Sequence, residues 1–503
     1  MAADAPQSGG LISKFTVLRG ATRELWIVFL IKLLGIIAYS VMNRTFVLWL
    51  SHDLGYSDQA AGYWVGLWSA LMTLCTVLIG SLTDAIGLRR AFLLGVYVCV
   101  LARFFLTFSA APAIAIGLGL IPLALGEALG TPVMVAAIRR YSTTAQRSIS
   151  FSIFYAVMNV GFLAASMIFD FVRRDWLGEH GSVRIPLFWT DGFIELSSYR
   201  VLFLISLGVQ ITLVPVMLFG LREGVEATDH GVVITPEQPK YPGVNLVRAF
   251  ALMVRDTLAE TARIFAGLWR QPGFYKFLGF LALAAFVRLI FIQMDYVYPK
   301  FGIRELGAGA PVGTLWGLNS LLIIFLVPLV GAVSQRIPAY SMVSVGSAVA
   351  AASVFIMALP TASFQTLADG WLGTFVGHIY LRVPANQPIH PYYVMIFIYV
   401  VILSIGESIY SPRLYEYAAS IAPKGQEASY MSLSYLPFFV AKLCVSTFSG
   451  VLLAHFCPED GPRDSATMWL IIASITAIAP IGLFTLRRFI RVAEAGRDAP
   501  AAP

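Results

Sequence analysis

The chain has 503 residues, of which 58% are apolar and only 13% charged, with a mean hydropathy of +0.76. A soluble domain carries about a quarter charged residues, so the composition excludes a water-soluble globular protein and describes a polytopic membrane protein. The formal net charge of +7 therefore reflects membrane topology and is no argument for nucleic-acid binding.

A bilayer core of about 30 Å needs roughly 20 apolar residues per helix, and counting runs on that basis gives twelve. They fall near 26–50, 60–83, 90–110, 112–138, 149–172 and 199–221, then near 274–298, 313–335, 340–359, 391–412, 429–455 and 466–487. The expected fold is an all-α membrane protein with twelve transmembrane helices in two six-helix bundles, 26–221 and 274–487. Residues 1–25 hold Lys14, Arg19 and Arg23 but no short apolar core with a small-residue cleavage site, so they are expected to form a cytoplasmic tail. Most of the Lys and Arg lie in segments that are cytoplasmic if the N-terminus is inside. Both termini, including the 488–503 tail, are thus expected to be cytoplasmic in a multi-pass protein of the cell membrane.

The linker 222–273 divides in two. Glu223 to Gly243 is polar and contains Pro236, Pro239 and Pro242, which predicts irregular chain. From Asn245 to Arg270, apolar residues such as Leu246, Phe250 and Met253 recur at near-helical spacing among Arg248, Arg255 and Arg263, which predicts an amphipathic helix on the membrane surface. Two external loops, about 173–198 and 360–390, carry Trp176, Phe188, Trp189, Phe193, Trp371 and Tyr380, as an interfacial aromatic belt would.

Between the second and third runs lies Gly80-Ser-Leu82-Thr-Asp84-Ala-Ile-Gly87-Leu-Arg89-Arg90. Glycines permit the tight turn, the Arg pair holds the loop inside, and Asp84 is placed to cap a helix or pair with a guanidinium. The pattern G-x-L-x-D-x-x-G-x-R-R resembles the loop between helices 2 and 3 of the major facilitator superfamily of transporters. Gly331-Ala-Val-Ser-Gln335-Arg336 echoes it at the corresponding place in the second half, as the superfamily's duplicated halves imply.

Three further stretches resemble the proton-coupled oligopeptide transporters within that superfamily. Phe154-Tyr155-Ala-Val-Met-Asn159-Val-Gly161 is similar to their helix-5 signature F-Y-x-x-x-N-x-G. Gly406-Glu407-Ser-Ile-Tyr410-Ser411-Pro412 is similar to the helix-10 motif G-E-x-x-x-S-P. Gly126 to Pro132 occupies the place of the helix-4 motif G-x-G-G-x-K-P. Two departures stand out. The family's helix-1 E-x-x-E-R is Ser40-Val-Met-Asn43-Arg44 here, so both carboxylates are gone, and the helix-4 Lys that partners the helix-10 Glu is Thr131.

Ionisable groups inside a membrane are costly and mark function by default. Arg44, Arg103, Glu127, Arg288, Asp295, Glu407 and Lys442 fall within the runs, with Lys32 and Asp170 nearer their ends and expected to snorkel or face water. Glu407, having lost its family partner, is expected to pair with Lys442. The resemblance implies an Arg44–Asp295 bridge near the external side, with Asp84, Arg89 and Arg90 doing similar work inside. Arg44, Glu127, Asp295, Glu407 and Lys442 are the candidates for proton coupling or salt bridges. Arg44, Tyr155, Asn159, Gln293 and Tyr410 are the candidate substrate contacts. Gly35, Gly66, Gly80, Gly126 and Gly130 suit close helix packing.

The expected function is secondary transport of a small polar solute, peptide-like or an organic anion, by proton-coupled alternating access. Export of amphipathic compounds, uncoupled facilitation, and a non-transporting receptor on the same fold are the alternatives. No nucleophile–base spacing, phosphate loop or metal-ligand spacing appears, so neither enzyme activity nor a cofactor is expected. The expected partners are solute, protons and lipid, with the chain a monomer.

Overall fold

The computed structural model describes residues 18–86, 88–178, 181–186, 192–229, 231–234, 272–334, 337–420 and 436–492, with isolated positions between 244 and 266. Twelve long helices dominate it. The first six are α1 (Arg23–His52), α2 (Asp58–Ile86), α3 (Leu88–Phe108), α4 (Pro112–Tyr141), α5 (Thr144–Asp170) and α6 (Ser198–Gly220). The second six are α7 (Pro272–Tyr296), α8 (Val312–Val333), α9 (Ala339–Val354), α10 (Pro391–Ser420), α11 (Leu436–Phe456) and α12 (Ser465–Thr485). Among the described residues, ten helices are long and apolar enough to cross a bilayer, and α2 and α11 complete the set. The chain is a multi-pass integral membrane protein.

Local sequence sets the helix starts. Thr22 accepts from the backbone N–H of Leu25 at the head of α1, and Ser197 does the same for α6. Thr143 and Gln146 form a capping box before α5, and Asp464 caps α12. Pro215, Pro328, Pro412 and Pro480 sit inside helices, where neighbouring helices can re-satisfy the freed carbonyls. Large apolar side chains such as Phe219, Phe325, Leu329 and Ile481 point outward, 61–81% exposed. Bare to water they would be an aggregation surface; against lipid tails they are at home.

Within the first six helices α1 packs on α5 and α6, and α3 on α4 and α6; within the second six α9 packs on α10 and α12, and α7 on α11 and α12. Two long contacts cross between the sets, α2 with α11 and α5 with α8. We call the membrane face at the start of α1 the terminal face and the opposite one the distal face.

Two hairpins depart from the sequence expectation. Strand β1 (Ser182–Pro186) pairs antiparallel with β2 (Phe193–Ser197) in the distal loop. Strand β3 (Val225–Thr228) pairs with β4 (Gly231–Ile234) in the part of the linker expected to be irregular. The polar composition hid two short strands, and Gly231, at φ +125°, opens the second opposite Thr228. Arg140 at the end of α4 donates to the Val225 carbonyl at 3.0 Å and fixes this hairpin to the bundle. The amphipathic helix expected over 245–270 lies largely outside the described residues, as does the second loop's echo at Gln335 and Arg336.

Candidate functional site: a charged cavity beneath a distal seal

A cavity of about 590 Å3 lies between the two sets of helices. Among the described residues, six charged side chains line it: Lys32 on α1, Glu127 on α4, Arg288 and Asp295 on α7, Glu407 on α10 and Lys442 on α11. Aromatic and Met side chains fill much of the remaining wall, among them Tyr155 and Tyr410. The cavity is therefore amphipathic, with its charges drawn from both halves.

Glycines bring two of these carboxylates into place. A Cβ on Gly126 would lie 2.6 Å from the Cys99 sulfur, so only Gly lets α4 meet α3 here; a Cβ on Gly406 would lie 2.6 Å from the Ala350 nitrogen, so α10 meets α9 the same way. Each glycine is followed by a glutamate that faces the cavity. Glu127 accepts from Arg103 Nη2 at 2.5 Å, and Arg103 Nε donates to Ser206 at 2.9 Å. Glu407 accepts from Asn319 Nδ2 at 2.8 Å, and the same amide reaches Ser404 at 3.1 Å. Gly126-Glu127-Ala-Leu-Gly-Thr131-Pro132 and Gly406-Glu407-Ser-Ile-Tyr-Ser411-Pro412 are one pattern, G-E-x-x-x-[ST]-P, used twice. That repeat was the available signal for a matched pair of carboxylates.

The pairings differ from those expected. Glu407 is not joined to Lys442, because Lys442 turns toward α2 and donates to Thr73 at 3.3 Å, whereas Glu407 turns toward α8. Arg44 and Asp295 make no ion pair within 4.0 Å. Successive residues on a helix stand about 100° apart, and it is Asn43 that faces α7 and donates to Asp295 at 2.9 Å. Arg44 donates to Ser166 on α5 instead and does not line the cavity. Asn159 donates to the Tyr155 carbonyl at 2.9 Å, and Gln293 accepts from Ser449 at 2.8 Å; neither lines the cavity. Among the expected substrate contacts, only Tyr155 and Tyr410 do. Lys32 and Asp170, expected near water, are both 4% exposed.

On the distal side the halves are sealed by charge and backbone. Asp58 at the head of α2 accepts from Lys300 at 2.6 Å and from Arg304 at 2.9 and 3.0 Å, both on the short helix Tyr298–Leu306 that follows α7. Burial lowers the Lys300 ammonium below the ordinary lysine range, and the Asp58 charge opposes that. Asp170 accepts from the backbone N–H groups of Gly313 and Thr314 at 2.9 and 2.5 Å, supplying from α5 the cap that Pro311 cannot give to α8. Arg173 donates to the Ala308 carbonyl at 2.6 Å, and Arg174 to those of Leu381 and Arg382 at 2.8 Å. Midway along the cavity Lys442 joins α11 to Thr73 of α2, and the terminal side lies beyond them. The cavity continues that way, past Ile31, Met134 and Met217.

Of the loop after α2, Arg89 donates to the Leu218 carbonyl at 2.7 Å and lies 3.5 Å from Glu223, which also faces Arg90 at 3.8 Å. These contacts stay within the first half. Gly87 and the Asp84 side chain lie outside the described residues, as do the surroundings of Gly80.

The family model of the Major Facilitator Superfamily matches residues 28–386. The chain belongs to the Major Facilitator Superfamily. As a member it is a secondary transporter and not an enzyme. Several solved structures share its fold. A POT family transporter in complex with 5-aminolevulinic acid has a TM-score of 0.65 at 16% identity, over 97% of this chain and 99% of that one. The peptide transporter POT in complex with sulfate has a TM-score of 0.63 at 15% identity, over 95% and 98%. A bacterial homologue of the human drug peptide transporters has a TM-score of 0.61 at 18% identity, over 93% and 99%. No curated protein sequence matches the chain. At these identities the structural likeness establishes the fold.

Proposed function

We propose that this facilitator moves a small solute of the peptide or organic-anion class, coupled to protons, by alternating exposure of the central cavity. The observation that carries the reading is the cavity itself, which draws charges from both halves beneath a seal on the distal side. In this reading the terminal face is cytoplasmic, the conformation is closed to the outside, and transport requires breaking the Asp58 and Asp170 contacts while a cytoplasmic closure forms. Bundles 26–221 and 274–487 are the moving bodies, and Asp84 with Arg89 and Arg90 belongs to the inner closure.

Glu407 is the proposed proton carrier. Its partner in this conformation is an amide, not a cation, so protonation would sacrifice no ion pair; Glu127, held by Arg103, would lose one. Lys442 and Asp295 are each held by a neutral group, which leaves their charges available to a solute that carries both signs. That a fold neighbour was captured with 5-aminolevulinic acid, itself such a solute, supports the choice of class. The test is proton flux: in proteoliposomes loaded with a pH-sensitive dye, adding dipeptides outside should acidify the lumen with the wild-type chain. Dipeptide entry without acidification would leave a facilitator and remove the coupling.

A further inference from the structure

Lys32 is a cavity charge that the reading above leaves unused. It lies on α1 twelve residues before Arg44, about 18 Å nearer the terminal face along the helix, and is 4% exposed. Its Nζ sits 4.4 Å from the centre of the Phe154 ring on α5. Among the described residues it donates no hydrogen bond and makes no ion pair within 4.0 Å. Glu127, a carboxylate of the same wall, is already engaged by Arg103 at 2.5 Å. A lysine ammonium carries three donors, and leaving it nine-tenths buried with none of them hydrogen-bonded is costly. Such a group, on the wall of a cavity that must hold a solute, is built for an anion that comes and goes.

The surroundings narrow the anion. Ile31, Phe92, Met134, Phe154 and Met217 line the same part of the cavity, so the wall beside the ammonium is apolar and, through its methionines, adaptable. An inorganic anion would gain nothing from that wall. We propose that Lys32, seated on the ring of Phe154, receives the anionic group of an amphipathic organic anion, its apolar body lying against these side chains. The proposal rests on the transporter reading and assigns a substrate subsite to it. In the empty site the ammonium faces the Phe154 ring; when the solute arrives, its carboxylate accepts from the ammonium and an aromatic body lies beside Phe154.

The test is equilibrium binding to the purified full-length protein in detergent, followed by probe fluorescence. Dansylglycine and its uncharged amide, dansylglycinamide, share one aromatic body and differ in the carboxylate. The wild-type chain should bind the acid at least about tenfold more tightly than the amide, as one good charge-assisted contact allows. Lys32→Met should bring the two within about twofold, and Lys32→Arg should restore the preference, with thermal unfolding confirming that each variant is folded. A preference that persists in folded Lys32→Met, or a wild-type chain that does not distinguish the probes, overturns the subsite. Either result is separate from failure of the transporter reading: a chain that takes up solute without a Lys32-dependent preference loses only the subsite, and one with the preference but no proton-driven uptake loses only the coupling.

Discussion

Gly450→Val tests the distal seal where its geometry is tightest. A Cβ at Gly450 of α11 would sit 2.4 Å from the Asp58 carbonyl oxygen and 2.9 Å from Gln59 Cα on α2. Ordinary contact begins near 3.4 Å, so α2 and α11 must separate by about 1 Å, a shift that interlocked helices resist because protein interiors are close-packed. The same shift would stretch the 2.6 Å Lys300–Asp58 bond to about 3.6 Å, beyond hydrogen-bond range. Overpacking of this kind costs about 1–3 kcal/mol. Spent against the distally closed state alone, that moves the conformational equilibrium about 5–150-fold toward distal opening. The assay is labelling of Met72→Cys, on the cavity wall, by a membrane-impermeant maleimide applied from the distal side of a chain stripped of its own four cysteines. The labelling rate should rise by that factor and solute uptake should fall. Wild-type labelling and wild-type uptake in a folded Gly450→Val protein would refute the seal.

Asp58→Asn should act in the same direction without a clash, since it removes the carboxylate that gathers Lys300 and Arg304. A loss of about 1.5–3 kcal/mol from the closed state is expected for charge-assisted bonds, and unchanged distal labelling would reject the latch. Glu407→Gln should flatten the pH dependence of uptake, and an unaltered pH profile would exclude Glu407 as the proton carrier. Arg103→Met should lower stability by about 1.5–3 kcal/mol, because it removes the charge-assisted bond from a buried guanidinium to Glu127. Thermal melting in detergent should show this drop and its partial recovery on adding Glu127→Gln; a melting temperature equal to wild type would show that the pair holds nothing together.

The helices were legible because length and apolarity alone define a span. The run expected at 199–221 is α6 at Ser198–Gly220, and that at 466–487 is α12 at Ser465–Thr485. Partnerships were not legible, because they depend on helix rotation that composition does not encode. One position along α1 decides whether Asn43 or Arg44 meets Asp295, and the face α11 turns to α2 sends Lys442 to Thr73 rather than Glu407. Family analogy supplied pairs for a helix 1 whose carboxylates are missing, and Asn43 and Ser166 have taken up the places those pairs would fill. Lys32 was misplaced for the opposite reason: judged by distance from the helix end it reads as a snorkelling lysine, and the packing of Phe154 beside it and its place on the cavity wall show that it turns inward. The distal hairpin was hidden by a loop whose aromatics read as membrane anchors. Arg184 covers the Phe193 ring at 4.8 Å there, a cross-strand contact.

The central claim is that solute crosses through the shared cavity with protons. The most direct measurement is uptake of a labelled dipeptide mixture into proteoliposomes, with and without an inward proton gradient. The account predicts accumulation above the external concentration when the gradient is present and simple equilibration when it is not. Uptake indifferent to the gradient would contradict the coupling assigned to Glu407, and no dipeptide flux in either condition would contradict the peptide class.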